Sequence, residues 1–523
     1  MPKSLIARTM LILLFAGEFG YAAGAEQPAA TRPAVDGVQY HVGPGQKFTR
    51  VVDVPWETLN PGDGVFIHFR TSEQGGDYHE KINLTRAGTP ETPIYLIGVK
   101  GPHGERPGLN GKDAVTRTVD PQGNSTFWPG NQERGVLCFS GRAGSDFKTG
   151  SGADHWEVSG LKITGARPAN DFTDSFGKPH DYQRKQAGLG SAGAGVFIDR
   201  GNYLHFSDLE LTDNNNGFFG SSDDYGSESR HVHDITLEHS LLYGNGAPNN
   251  ASVHNAYVEA ANFTVRGNWF GPLVKGSGGS HLKDRGANVV IEGNTFDDVA
   301  VPLFLDPPEN SLGWMDKQPG FDKITVRNNV FYKADVRPSP GQDVIITGFG
   351  DVKAEALRTV ELSHNTFVFA SAQASNWNIN FIDLMGPRPQ VIRFDHNVLA
   401  RFDQGRGKTP SQLSFIIKIY PVDARTIVDV GTGNWIGMGE PWIEQKPGNG
   451  SATMQGFDKV GKLPGTLAEL EKLLAINLHD PATADFGRFD PAKNAWYRQQ
   501  KAGATMTDPP TTRPALPAPA AKK

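Results

Sequence analysis

The chain has 523 residues, with 51 lysines and arginines against 57 aspartates and glutamates and a formal net charge of −6. That balance gives no general attraction to nucleic acid or to acidic polymers, so an anionic ligand needs a local cationic strip. Cys138 is the single cysteine, which excludes intrachain disulfides and cysteine-based metal sites, while 62 glycines and 36 prolines suit short strands and turns better than long helices.

Lys3 and Arg8 precede an apolar run from Met10 to Ala16, and Ala23-Gly24-Ala25 follows. This is the layout of a secretory signal peptide over residues 1–25, with cleavage near Ala25 and an apolar run too short to span a bilayer. The expectation is a secreted or periplasmic protein without membrane insertion. Residues 26–39 read as a linker. Pro55-Trp-Glu-Thr-Leu59 and Asn60-Pro-Gly-Asp-Gly64 read as one helical turn and a tight turn into a strand from Val65 to Arg70.

From residue 158 a repeat takes over. Its copies include Val158-Ser-Gly-Leu-Lys-Ile163, Phe206-Ser-Asp-Leu-Glu-Leu211, Leu237-Glu-His-Ser-Leu-Leu242, Val265-Arg-Gly-Asn-Trp-Phe270 and Ile291-Glu-Gly-Asn-Thr-Phe296. Val326-Arg-Asn-Asn-Val-Phe331, Leu362-Ser-His-Asn-Thr-Phe367 and Phe394-Asp-His-Asn-Val-Leu399 continue it, and Gly433-Asn-Trp-Ile436 is a partial last copy. The fourth position steps through 161, 209, 240, 268, 294, 329, 365, 397 and 434. One such turn cannot bury its apolar residues alone, but a stack of turns closes a continuous core. The expected fold is therefore all-β, a single-stranded right-handed parallel β-helix of about ten or more coils with short capping helices. Asparagine at the corner tolerates left-handed backbone and can hydrogen-bond along the stack. A β-sandwich also shows short strands, but it would not repeat one corner residue in copy after copy.

The solenoid is expected to occupy residues 40–500. A capping box at Thr466-Leu-Ala-Glu469 opens an amphipathic helix near 466–476 that would cover the last coil. Residues 501–523 are rich in alanine and proline and read as a disordered tail.

The chemistry gathers between Asp213 and Asp306. Ala261-Asn-Phe-Thr-Val265 and Ala287-Asn-Val-Val-Ile291 are equivalent at an offset of 26, which also pairs Asn255 with His281, Tyr257 with Lys283 and Glu259 with Arg285. Adjacent coils lie about 4.8 Å apart, so these pairs are neighbours on a parallel ladder. Alternate residues of a strand share a face, and a core face would desolvate this set at large cost, so the strip is expected to face solvent. The bland alternative is a cross-strand ion pair between Glu259 and Arg285 with Tyr257 covering the lysine stem. Elsewhere, Gly188-Leu-Gly-Ser-Ala-Gly193 lacks the helix a dinucleotide site needs, and His231-Val-His233 lacks a third metal ligand.

With its asparagine corners and the ordered segments Asp213-Asn-Asn-Asn-Gly217, His254-Asn-Ala-Tyr257 and His281-Leu-Lys-Asp-Arg285, the chain resembles the pectate-lyase-like superfamily of right-handed parallel β-helices. That superfamily holds polysaccharide lyases, hydrolases, uronate epimerases and phage spikes, so membership alone does not fix function. The cationic and phenolic strip, taken together with the resemblance, points to a polysaccharide lyase acting by β-elimination on an acidic, uronic-acid-containing polysaccharide, and a monomer is expected. Arg285 would neutralise the C6 carboxylate through its bidentate fork, Lys283 would remove the C5 proton and Tyr257 would protonate the leaving oxygen. His254 or His281 could replace either proton-transfer partner. Asn215, Asn216, Asn255 and Glu259 are expected to touch substrate. Several lyases of the superfamily use Ca2+; candidate oxygen ligands are Asp223, Asp224, Glu228, Asp297, Asp298 and, foremost, Asp306. The rival readings are a uronate C5-epimerase, a glycoside hydrolase using Asp213 and the Asp223-Asp224 pair, and a non-catalytic polysaccharide-binding wall.

Overall fold

The computed structural model describes residues 35–117, 133–140, 152–182, 193–224, 230–297, 301–321, 323–333, 344–348, 357–371, 380–403, 415–420, 422–437, 441–445 and 452–462. The signal peptide, most of residues 26–39, the helix near 466–476, the tail, Glu228 and Asp298 lie outside the described residues.

One coil shows how the chain winds. Ala256–Glu259 is followed by Ala261–Arg266 and Trp269–Phe270, and Ser280–Asp284 then pairs in parallel with Ala256–Glu259, one rung further on. Repetition yields three parallel sheets of 13, 14 and 11 strands. Parallel crossovers of this kind are right-handed, so the molecule is a right-handed parallel β-helix. A hairpin of Asp171–Thr173 and Pro179–Asp181 adds an antiparallel edge to the 14-stranded sheet. The expected N-terminal turn is present as a 3-10 helix, Trp56–Thr58, leading into the strand Gly64–His68.

The last apolar position of the repeat fills the interior as a phenylalanine column. Phe270, Phe296, Phe331 and Phe367 stack face to face at successive centroid distances of 4.8, 4.8 and 4.5 Å. The asparagines form the expected ladder beside it. The side-chain amides of Asn268, Asn294, Asn329, Asn365 and Asn397 each donate to the next carbonyl oxygen, ending on Asn434, at 3.0–3.1 Å.

Backbone strain, however, falls one residue earlier than expected. The left-handed conformation belongs to the third repeat position, with φ of 63° at Gly267, 65° at Gly293, 56° at Asn328, 55° at His364 and 53° at His396. The following asparagine is thereby turned inward to satisfy backbone groups that the bend removes from the sheets. Asn294, for example, accepts the Asn268 N–H at 2.9 Å and donates to the Val265 carbonyl at 2.9 Å.

Candidate active site

The outward residues of the 14-stranded sheet form a column along the helix axis. The register runs Cys138, Phe197, Phe219, Tyr257, Lys283, Phe304 and Ile346, one residue per rung. Phe197 stacks on Phe219 at 5.6 Å, and Phe219 on Tyr257 at 4.9 Å with planes 8° apart. Lys283 continues the stack as a cation, its Nζ 5.6 Å from the Tyr257 centroid and 4.7 Å from that of Phe304. Such contacts hold an ammonium over the electron-rich ring faces. The Tyr257–Lys283 pairing expected from the offset of 26 is therefore present.

The bare, solvent-facing strip is not. Asn255, Glu259 and His281 are fully buried and the Arg285 side chain is 9% exposed. The cause is an insertion. After Asp306 the chain folds back over the strip and runs into the short helix Leu312–Met315 before resuming the coil. Glu259 anchors this cover: its Oε1 accepts the backbone N–H groups of Glu309, Asn310 and Ser311 at 3.2, 3.0 and 3.0 Å and the Ser311 hydroxyl at 2.6 Å. Glu259 is thus a scaffold for the cover and not a substrate contact, and Arg285 forms ion pairs with Asp306 and Glu309 instead.

Asn255 and His281 are corrected for a different reason. They belong to a second buried ladder, in which the Asn214 amide reaches Asn245 at 3.3 Å, Asn245 reaches Asn255 at 2.9 Å and Asn255 donates to His281 Nδ1 at 3.0 Å. His281 lies about equally far from Phe270 and Phe296, at 6.0 and 5.9 Å, inside the coil. It cannot reach a substrate on the wall. Asn215 and Asn216 are likewise buried, and Asn216 Oδ1 accepts the His254 N–H at 2.9 Å, so it positions that histidine from behind.

His254 is buried too, and burial, then Lys283 and Arg285, hold it well below its ordinary pKa. Its Nδ1 accepts the Ser280 N–H at 3.0 Å, which assigns the proton of the neutral ring to Nε2. Among the described residues Nε2 has no hydrogen-bond partner, and the ring lies 5.9 Å from Tyr257. His254 is therefore a neutral donor, not an acid or base that titrates near pH 7.

Lys283, Arg285 and Tyr257 converge on two carboxylates. Asp306 Oδ2 lies 3.5 Å from Lys283 Nζ and 3.2 Å from an Arg285 terminal nitrogen. Arg285 also donates to the Pro307 carbonyl at 2.8 Å, and its Nε is 3.4 Å from Glu309 Oε2. The Tyr257 hydroxyl donates to that same Glu309 oxygen at 2.9 Å. Burial is the largest influence on each titrating member. It lowers the Lys283 pKa against the opposing pull of Asp306, raises Tyr257 well above its ordinary value and pushes Asp306 up to about 6. Arg285 keeps its charge, because Tyr257, Asp306, Glu309 and Glu259 outweigh burial. Behind the wall, fully buried Asp284 is raised to about 7 by burial, and Arg358 donates to the Asp306 carbonyl at 3.0 Å.

The expectation that Asp306 binds a metal meets this arrangement badly. Its carboxylate faces Lys283 and Arg285, and a cation beside two cations is disfavoured. Among the described residues no cluster of three or more histidine, cysteine or acidic side chains is placed to hold a metal ion. The carboxylates considered for a hydrolase are also engaged. Asp223 is paired with Arg230, Asp224 accepts from His231 Nε2 at 2.9 Å and the Trp314 N–H at 3.1 Å, and Asp213 holds Arg167 at 2.9 Å.

Sequence reasoning missed Glu309, Phe304, Phe219 and Phe197. The two ladder partners were within reach, since the offset of 31 that carries Leu209 onto Ser240 also carries Asn214 onto Asn245. Nothing in the sequence marks Glu309, which sits on a non-repeated insertion.

No protein-family model and no curated protein matches the chain. Among solved structures it is similar to an alginate lyase from Paenibacillus sp. str. FPU-7, with 13% identity over 70% of this chain and 97% of that one and a TM-score of 0.30. Pectate lyase Pel9A gives 12% identity, coverage of 71% and 79%, and a TM-score of 0.36. The tailspike protein of E. coli bacteriophage HK620 in complex with pentasaccharide gives 13%, coverage of 74% and 59%, and 0.37, so the chain spans under two thirds of that protein. Likenesses at this level add no argument about activity; what the strand registers establish is the architecture, a right-handed parallel β-helix.

Proposed function

We propose that this chain is an exported polysaccharide lyase that cleaves an acidic, uronic-acid-containing polysaccharide by β-elimination on the outer wall around Lys283. The observation that carries the reading is the pairing, on adjacent rungs, of a lysine whose burial favours the neutral amine with a tyrosine whose burial favours the neutral phenol. One is suited to take a proton, the other to give one. In this reading Lys283 removes the proton from C5 of the uronate ring and the C5–H electrons form the C4–C5 double bond. The C4–O bond then breaks, and Tyr257 delivers a proton to the leaving oxygen. Asp306, 3.5 Å from Nζ, stabilises the ammonium that results, and Arg285 offsets the charge that builds on the carboxylate. The partly exposed rings of Phe219 and Phe304, on either side of Tyr257 and Lys283, give the polymer an apolar surface along the axis.

The test is ultraviolet absorbance of unsaturated uronates while the purified protein meets a panel of uronic-acid polymers, with and without calcium. A rise on one polymer supports elimination. No rise on any of them would overturn it, and release of reducing ends, C5 inversion or binding alone would then identify a hydrolase, an epimerase or a binding protein.

A further inference from the structure

Glu309 does something that neither the fold nor the proposed chemistry requires. Its Oε2 takes the Tyr257 hydroxyl at 2.9 Å and lies 3.4 Å from Arg285 Nε, so one free carboxylate oxygen joins the phenol to the guanidinium. The side chain remains 47% exposed, whereas the Arg285 side chain beneath it is 9% exposed. Its backbone, by contrast, is fixed, because Glu259 holds the N–H groups of residues 309, 310 and 311. A rotamer change of this one side chain therefore opens the position without moving the cover.

We propose that Glu309 is a displaceable stand-in for the C6 carboxylate of a uronic acid: it occupies the Arg285 guanidinium until the substrate carboxylate takes its place, and its departure frees the Tyr257 hydroxyl for the leaving oxygen. The inference rests on the proposed reading of this wall and names the group of the substrate that the wall recognises. Chemistry favours a planar monocarboxylate over a neutral sugar. Arg285 stays charged, and a neutral hydroxymethyl group would take the Glu309 carboxylate away from this buried cation and put no anion in its place. The entering anion replaces one carboxylate by another, so the net charge of the pocket does not change.

Titration calorimetry with D-galacturonate, D-glucuronate and neutral D-galactose tests this on the intact protein and on Glu309→Ala and Glu309→Gln. Removing the competitor should tighten uronate binding about tenfold in Glu309→Ala, the scale of a charge-assisted hydrogen bond. Glu309→Gln, which keeps the shape and loses the charge, should fall between. Galactose should not gain, and adding Arg285→Lys should erase the gain. Uronate binding no tighter in either variant than in the parent, an equal gain for galactose, or a gain that survives Arg285→Lys would overturn the proposal. None of these readouts needs turnover, so a failure of lyase activity and a failure of this subsite are seen separately.

Discussion

Replacing Glu259 by alanine should release the cover over the candidate site while leaving the coil intact. Its Oε1 accepts three backbone N–H groups at 3.0–3.2 Å and one hydroxyl at 2.6 Å, all from residues 309–311. Hydrogen bonds to a charged group are worth about 1.5–3 kcal/mol each, but burial opposes this carboxylate's charge, so about 1 kcal/mol per amide is the conservative figure. Three amides then give about 3 kcal/mol of local stability, which is about a hundredfold in an opening equilibrium. Hydrogen exchange reads this directly. The amides of Glu309, Asn310 and Ser311 should exchange about a hundredfold faster in Glu259→Ala, while those of the strand Lys323–Arg327 keep their protection. Unchanged protection at 309–311 would refute the anchoring role. Equal loss in both segments would refute its local character.

Three further outcomes follow from the same geometry. The lyase rate should rise with pH as Lys283 loses its proton; Asp306 favours the charged amine, so Asp306→Asn should move that limb of the profile to lower pH, and an unmoved limb would separate the two groups. Asn294→Ala orphans the buried Asn268 N–H and the Val265 carbonyl and should cost about 2–4 kcal/mol, seen as a lower denaturant midpoint in urea unfolding; a change below 1 kcal/mol would contradict the ladder's role. Asp284 and Asp306 ionise near 3.8 when exposed but near 7 and 6 in the fold, so the folded state binds more protons between about pH 4 and 7. Stability should therefore fall as pH rises through that window, and Asp284→Asn should flatten the fall in melting temperature; an unchanged slope would rule the group out.

The solenoid was legible because its coils repeat: each corner asparagine meets the same backbone need, so the residue recurs wherever the bend does. The bend itself was placed one residue late, since glycine, asparagine and histidine share the strained position and no single residue type advertises it. Register reasoning brought Tyr257 beside Lys283, because those two strands occupy equal 26-residue coils. It misjudged exposure for the opposite reason. The cover over Glu259 and Arg285 comes from a non-repeated stretch after Asp306, and a residue such as Glu309 has no equivalent elsewhere in the chain to reveal it. Asn255 and His281 alternate with inward residues as outward ones should, yet their side chains lie inside the coil, on the ladder that continues from Asn245 and beside Phe270, so alternation no longer reports burial there.

The central claim is that Lys283 performs proton abstraction on this wall. The direct measurement is a paired one on Lys283→Ala, with the polymer that gives the absorbance rise: affinity for its oligosaccharides by calorimetry and turnover by absorbance. Oligosaccharide affinity within a few-fold of the parent, together with loss of all turnover, is the predicted result. Turnover that survives the substitution would place the base elsewhere and contradict the account.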